Sequence, residues 1–526
     1  MTLGSLGEDA TTADFEHLVD YIDHWSALRP DDDVVVDGET RMTWRELSTR
    51  STNVARQLVR LGVEPGDRVA VLTPQRWEFV VVYLALARIG GVFIGLNPRH
   101  THAELDYVIR DAAPKVLMSI AANDVRDFVA DVTSLHGEHR SIERLVWIGG
   151  DGGHGGERFE DLLEAPEGDD RLPDVLPSAP ACIVYTSGST GRPKGALLPR
   201  SGLLANYKAV ARIVEHHPFV AQCDHPVDHV GGIDRLYLVV ILGGKLVLAS
   251  RFDETRLLEQ ISAERVTFWM GEATQFIRVW PHLRAADLSS VQIVNYVASL
   301  PEDLLRHLCE TFPLVMTGYG MTELCSAAVK SRRDTSEESL SRGVVGRPLD
   351  TMLVRLVDAE DREVAMGAPG ELQIRSCSLL LEYVNRPEAT AEAFTADGWF
   401  RTGDLMTQDT NGDLTFLARL GDVLKSGGYN VYPREIEAVL EGHPEVVEAA
   451  VVPVDDAVYQ QVAHAFVVLN QPIDEAALSA FCREQLASYK VPRRFHQMES
   501  LPRLANQKID KVRLRSDAAS ASPSPS

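Results

Sequence analysis

The stretch Tyr185-Thr186-Ser187-Gly188-Ser189-Thr190-Gly191-Arg192-Pro193-Lys194-Gly195 packs three glycines, four Ser/Thr hydroxyls and two cations into eleven positions. It grows out of an apolar run, Ala181–Tyr185, that reads as a buried strand. Glycines let a backbone turn sharply and present its N–H groups to anions. The hydroxyls add donors and Lys194 adds charge. A strand feeding such a loop is a candidate phosphate cradle. It is not the P-loop of nucleoside triphosphatases, because Pro193 stands where that motif places glycine before its lysine.

Upstream of the loop, residues 33–120 alternate helix and strand patterns. Thr43 and Glu46 make a capping-box signature for a helix running to about Leu61, with Leu47, Val54, Leu58 and Leu61 at helical spacing. Pro65-Gly66-Asp67 turns the chain into a strand, Val69–Leu72. A helix over Phe79–Arg88, a strand Val92–Leu96 and a helix from about His102 follow. Such alternation predicts parallel sheet covered by helices on its faces. Residues 149–180, rich in Gly, Asp, Glu and Pro, read as a surface excursion. Further αβ units extend to about 330. Residues 343–418 are richer in turns and short strands, with a hairpin signal at Asn411-Gly412.

A small unit occupies about 420–515. Pro433 opens a helix with Ile436, Val439 and Leu440 on one face. Strands Val447–Val452 and Ala465–Leu469 follow, and Asp474 caps a helix with Leu478, Phe481 and Cys482 inward. Ser516–Ser526 reads as a disordered tail. The predicted fold is α/β: a large N-terminal domain of αβ-layered sheets with a β-rich subdomain, then a small mobile α+β domain. The expected boundaries are 1–418 for the large domain, 419–422 for a hinge, 423–515 for the lid and 516–526 for the tail.

The chain has 526 residues, a hydrophobic fraction of 45% and a formal net charge of −24. That charge argues against a nucleic-acid partner, which demands a basic face. It does not exclude an anionic substrate held by a local cation cluster. Six scattered cysteines without a C-x-x-C pair read as free thiols. Nothing approaches the roughly 18 apolar residues of a membrane span. The expected location is the cytoplasm.

Four further segments make the loop specific. Together with Gly318-Tyr-Gly-Met-Thr-Glu323, Trp399-Phe-Arg-Thr-Gly-Asp-Leu405, Arg419 through Glu437, and Pro502 through Lys508, it resembles the ordered core motifs of the adenylate-forming superfamily. That group includes AMP-dependent acyl-CoA synthetases. The resemblance spans about residues 20–515 and implies a ligase that makes an acyl-adenylate from ATP and a carboxylic acid, then a thioester. ATP, Mg²⁺ and coenzyme A are the implied small-molecule partners.

The resemblance also implies roles. Thr186, Ser187, Gly188, Ser189, Thr190, Gly191 and Lys194 would cover the outer phosphates. Ala298, Ser299, Gly318, Tyr319, Gly320 and Met321 would surround the nucleotide, with Tyr319 against adenine. Thr322 would bind the α-phosphate and Glu323 would hold the metal, as suits a carboxylate oxygen. Asp404 would take the ribose, Arg419 ribose or phosphate, and Lys508 would bridge carboxylate and α-phosphate. Lys425, Gly427, Gly428 and Tyr429 would line the pantetheine channel.

His229 would stand beside the acyl site, with Val230, Trp269, Met270, Gly271, Tyr296 and Val297 shaping a mostly apolar pocket. In amino-acid-activating relatives an Asp occupies the position of Val230, so an amino-acid substrate is disfavoured. Two positions depart from the pattern. Gly421, followed by Asp422, stands at the usual hinge Asp or Lys, and Gln507 replaces the glycine before Lys508.

Two other groupings carry less. His216, His217, Cys223, His225 and His229 fit no common zinc spacing. Asp409 through Asp413 lacks the closing Glu of a calcium loop. The leading reading is a carboxylic acid–CoA ligase. A carrier-protein phosphopantetheine is the alternative thiol, disfavoured because no carrier domain follows residue 515. A non-catalytic nucleotide-binding protein is the remaining alternative.

Overall fold

The computed structural model describes residues 14–150, 155–166, 171–186, 193–426, 429–456, 459–504 and 509–521. Its large N-terminal part holds three sheets. The first has eight strands, in the order Glu382–Tyr383, Lys194–Pro199, Pro180–Thr186, Val92–Leu96, Arg68–Leu72, Val116–Ile120, Arg144–Ile148 and Glu157–Arg158. From Pro180–Thr186 to the far edge its pairs are parallel. These strands read as short unbroken apolar runs because helices cover both faces.

The capping box at Thr43 and Glu46 is present and starts the helix Trp44–Arg60. The helix expected over Phe79–Arg88 runs over Trp77–Ile89 and is buried nearly all round. A helix without a polar face blurs its own ends in the sequence.

The second sheet has seven strands, in the order Leu314–Met316, Ile293–Val297, Phe268–Glu272, Val220–Cys223, Lys245–Leu248, Asp33–Asp37 and Thr40–Thr43. The first six are parallel in register. The third sheet, also of seven strands, is antiparallel and spans Gly318–Met321 to Phe400–Gln408 and Leu414–Arg419. Its last two strands form the expected hairpin around Asn411-Gly412, closed by Asp413 N–H donating to Asp409 Oδ1 at 2.9 Å.

A five-stranded sheet builds the small C-terminal domain, with Gln460–Leu469 between Val446–Asp456 and Arg494–Met498. Ile436, Leu440, Leu478 and Cys482 are buried in its core. Phe481 is only half-buried, its ring edge-on to His443.

Two expectations are corrected. The excursion 149–180 is not wholly on the surface. It supplies the edge strand Glu157–Arg158 and a helical turn whose Phe159 and Leu162 are buried. The tail expected to be disordered from Ser516 is helical as far as Ala521, within the helix Lys511–Ala521. Leu514 and Ala518 pack on Val452 and Phe466, an apolar anchor that the Ser/Ala composition conceals. From that helix Arg515 pairs with Asp422 and also donates to the Gly421 carbonyl at 3.3 Å, so the last helix straps the segment expected to hinge.

All six cysteines are free. Among the described residues no helix is long and apolar enough to cross a membrane.

Candidate active site

In open parallel sheets ligands bind outside the carboxyl ends of the strands. Four such ends in the second sheet line up along one edge, closing Leu314–Met316, Ile293–Val297, Phe268–Glu272 and Val220–Cys223. Ala298 follows the second of them at φ 68°, a left-handed conformation that costs a non-glycine residue on the order of 1 kcal/mol or more. Ala298 and Ser299 are exposed there.

The motif Gly318–Met321 leaves the edge as a strand pairing with Ser326–Lys330. A Cβ on Gly320 would lie 1.9 Å from the Ser326 carbonyl oxygen, so only glycine permits that pairing. Tyr319 turns its ring near Phe416, and its hydroxyl donates to Asp404 Oδ2 at 2.6 Å. Burial, then the Asp404 charge, raises the Tyr319 hydroxyl above its usual range and keeps it a donor. Arg419 pairs across the hairpin with Asp404, Nε to Oδ1 at 2.9 Å. The buried Asp404 carboxylate is thus fixed from both sides, and each oxygen retains lone-pair capacity for a further donor.

A 3₁₀ turn, Thr322–Leu324, buries Thr322 and Glu323 and ends on Cys325 at φ 57°. Tyr383 donates its hydroxyl to Glu323 Oε1 at 2.8 Å. The Tyr383 ring lies 4.5 Å from the Lys194 ammonium nitrogen, in cation–π contact. Tyr383 sits on the edge strand Glu382–Tyr383, which pairs with Leu197 and Ala196 beyond Lys194. Three groups remote in the chain therefore stand in one row: Lys194, Tyr383 and Glu323.

The stems of the glycine-rich loop are pinned from the helix His102–Ala112. Tyr185 donates to Asp111 Oδ2 at 2.9 Å, and Tyr107 donates to the Pro193 carbonyl at 2.7 Å. Arg386 pairs with Asp111 at 3.2 Å. Ser187, Gly188, Ser189, Thr190, Gly191, Gly427, Gly428 and Lys508 lie outside the described residues. Lys425 and Tyr429 fall on the paired strands Leu424–Ser426 and Tyr429–Val431.

On the acyl side, His229 caps the helix Val230–Leu242, its Nδ1 accepting from Gly231 N–H at 3.0 Å. The ring proton then sits on Nε2. A Cβ on Gly231 would lie 3.0 Å from the His225 ring and 3.1 Å from His229 Nδ1, so the two imidazoles flank this glycine. His225 does not join Cys223 or His229 in a ligand set. Its Nδ1 is 3.0 Å from the buried Arg235 guanidinium, and its Nε2 is 3.5 Å from Glu272.

Two expected pocket walls are corrected. Successive residues of a strand point to opposite faces. Trp269 and Tyr296 share one face and are buried in the second apolar cluster, Trp269 with its centroid 4.7 Å from Phe276. Both rings serve the core. Gly271 falls on that face too, close to Phe276. The opposite face carries Met270 and Val297, both half-buried, and it also carries Glu272 and Asn295.

The described geometry agrees with known proteins. The "AMP-binding enzyme" family model matches residues 22–384, and the model of its "AMP-binding enzyme C-terminal domain" matches 435–508. The chain belongs to the AMP-binding enzyme family.

This AMP-binding enzyme is 32% identical to the 2-succinylbenzoate–CoA ligase of Bacillus licheniformis, over 93% of this chain and 97% of the relative. It is 34% identical to a feruloyl-CoA synthase of an Amycolatopsis species, over 93% and 96%. The solved amide bond synthetase of Marinactinospora thermotolerans superposes with a TM-score of 0.85 at 27% identity, covering 95% and 100%. This chain is an adenylate-forming enzyme, and its relatives at 32% and 34% identity are named for different acids.

Sequence reasoning missed Tyr383, Tyr107 and Asp111 of this AMP-binding enzyme. None belongs to a motif quoted above. Tyr383 is the lone aromatic of Leu380–Arg386, between the second and third motifs, and nothing local marks it.

Proposed function

We propose that the enzyme joins a carboxylic acid to coenzyme A in two steps. In the first, a carboxylate oxygen of the acid attacks the α-phosphorus of ATP, and the bond to pyrophosphate breaks. In the second, the thiolate of coenzyme A attacks the acyl carbon, and the bond to AMP breaks. A carboxylate alone is a poor electrophile; AMP gives it a good leaving group.

The observation that carries this reading is the convergence of two locked carboxylates on the nucleotide edge. Asp404 is held by Tyr319 and Arg419, and Glu323 is held by Tyr383 beside Lys194. The first suits the two hydroxyls of a ribose. The second suits a divalent cation: a buried, oriented carboxylate oxygen with a hydroxyl neighbour at Thr322 is the kind of donor set that Mg²⁺ takes alongside phosphates. When bound, Mg²⁺ would offset phosphate charge. Lys194 would stabilise charge building on the departing pyrophosphate. Lys508 would draw the carboxylate to the α-phosphate.

Relatives named for acid–CoA ligation support coenzyme A as the acceptor. The likeness to an amide bond synthetase favours an amine as the second reading. The test is acid-dependent exchange of labelled pyrophosphate into ATP, followed by AMP release with coenzyme A or with amines. No exchange with any acid of a broad panel ends the adenylation reading. Release driven by amines and not by coenzyme A replaces the thiol with the amine.

A further inference from the structure

We infer that Asp111, which lies outside every motif, is a positioning residue for the first half-reaction: it sets Lys194 and Tyr383 at their working separation. This rests on the acid–adenylate reading above and deepens it.

An aspartate in the last turn of a helix is out of place. Asp111 is the penultimate residue of the helix His102–Ala112, at the end whose carbonyls carry partial negative charge and favour cations. Its side chain is only 9% exposed, so it gives up water as well. Partners from outside the helix offset both.

Those partners come from two separate segments. Tyr185, on the first stem of the glycine-rich loop, donates to Asp111 Oδ2 at 2.9 Å. Arg386 Nη2 sits 3.2 Å from Oδ1. Asn385 Nδ2 donates to the Asp111 carbonyl at 2.7 Å, from a backbone held left-handed at φ 55°. One turn earlier on the same helix face, Tyr107 donates to the Pro193 carbonyl on the second stem at 2.7 Å, and accepts from Arg386 Nη2 at 3.4 Å.

Each anchored segment leads to a working group. Pro193 precedes Lys194, and Arg386 follows Tyr383 by three residues. The Val384 N–H donates to the Gly195 carbonyl at 2.8 Å. A Cβ on Gly195 would lie 2.9 Å from the Tyr185 ring, so the ring that Asp111 holds rests against the backbone next to Lys194. The Lys194–Tyr383 contact at 4.5 Å is built from two segments that share one anchor.

The consequence falls on one step. ATP presents its outer phosphates to Lys194, whereas an acyl-adenylate has none. A displaced Lys194 slows the departure of pyrophosphate and leaves attack of a thiol on the adenylate untouched. A merely structural staple weakens both steps alike.

The test uses the full-length enzyme and the best acid of a broad panel. Pyrophosphate exchange reads the first step, and thioester formation from the supplied acyl-adenylate reads the second. Asp111→Ala should lower kcat for exchange roughly 10- to 100-fold, the effect of misplacing a reacting group by about 1 Å, with KM for the acid and thioester formation each within about threefold. Asp111→Asn keeps an acceptor for Tyr185 but no charge for Arg386, and should fall between. In a Lys194→Gln background Asp111→Ala should cost at most about threefold more, because the group it positions is gone. Should Asp111→Ala fail to fold, Arg386→Gln cuts one arm of the same anchor and should lose about three- to tenfold in exchange alone. Equal losses in the two half-reactions, or a full loss in the Lys194→Gln background, overturn the inference and leave adenylation standing. Exchange with no acid at all overturns the adenylation reading itself.

Discussion

The Tyr383 hydroxyl donates to Glu323 Oε1 at 2.8 Å, while its ring carries the Lys194 ammonium at 4.5 Å. One side chain thereby aligns a carboxylate and a cation that lie on separate motifs. Tyr383→Phe keeps the ring and removes the hydroxyl. Pyrophosphate exchange is expected to fall about 10- to 100-fold, from losing a hydrogen bond to a charged group. The Mg²⁺ concentration needed for half-maximal MgATP binding, read by calorimetry, should rise. Tyr383→Leu should lose more, because Lys194 loses its ring as well.

Asp404 is held by Tyr319 on one oxygen and Arg419 on the other. Asp404→Ala leaves a buried hydroxyl and a guanidinium without their acceptor. It should raise KM for ATP at least tenfold. Tyr319→Phe removes one donor only and should cost about 1–2 kcal/mol in kcat/KM. A milder effect of Asp404→Ala than of Tyr319→Phe would reverse the assignment of Asp404 as the nucleotide contact.

Lys508 is proposed to act in the first step alone. Lys508→Ala should abolish pyrophosphate exchange yet largely spare thioester formation from a supplied acyl-adenylate. Equal loss in both assays would contradict a lid with separate roles in the two steps.

Glu437 is buried beneath the small domain's sheet, accepting from Val451 N–H at 2.9 Å and from Lys511 at 2.7 Å. Burial opposes its charge, but Lys511 and Arg434 prevail and hold its carboxyl below the ordinary range. With the folded value depressed, this stability is present above the unfolded pKa and lost as pH falls through the folded one. Lys511→Met should destabilise the small domain by roughly 1–3 kcal/mol, since it leaves the buried Glu437 charge to Arg434, at 3.8 Å, and to the Val451 N–H. Thermal unfolding at neutral pH measures it, and the variant should lose less on acidification than the parent.

In the same domain His464 Nδ1 lies 3.1 Å from His496 Nε2 across parallel strands. Burial, then the charge of His496, lowers the His464 pKa to about 4. Arg494 opposes a proton there and Glu475 favours one. The unfolded chain binds more protons between that value and the ordinary 6.5, so stability rises with pH across this window. His464→Phe should flatten the acid limb of a stability–pH curve. An unchanged limb would show that His464 is not what acid attacks.

The parallel strands were legible because buried strands are short apolar runs, and Val92–Leu96 emerges with its expected limits. The nucleotide motifs were legible because each is contiguous. Tyr383 was not: its meaning arises from a two-residue strand laid beside Lys194–Pro199, which no local pattern announces. Trp269 and Tyr296 misled for a related reason. Period-two alternation says that neighbours point apart, but not which face joins the core; the shared face of Trp269 and Tyr296 and the packing on Phe276 decide that. The helix through Ser516 was hidden because its apolar anchor, Leu514 and Ala518, is two residues set among Ser, Ala and charged ones.

Arg515 grips Asp422 and the Gly421 carbonyl from the last helix. The carboxy-terminal end of the chain is thereby a mechanical handle on the joint between the two domains. A protease that trims back past Arg515 removes that grip, and the balance of the two proposed half-reactions should change.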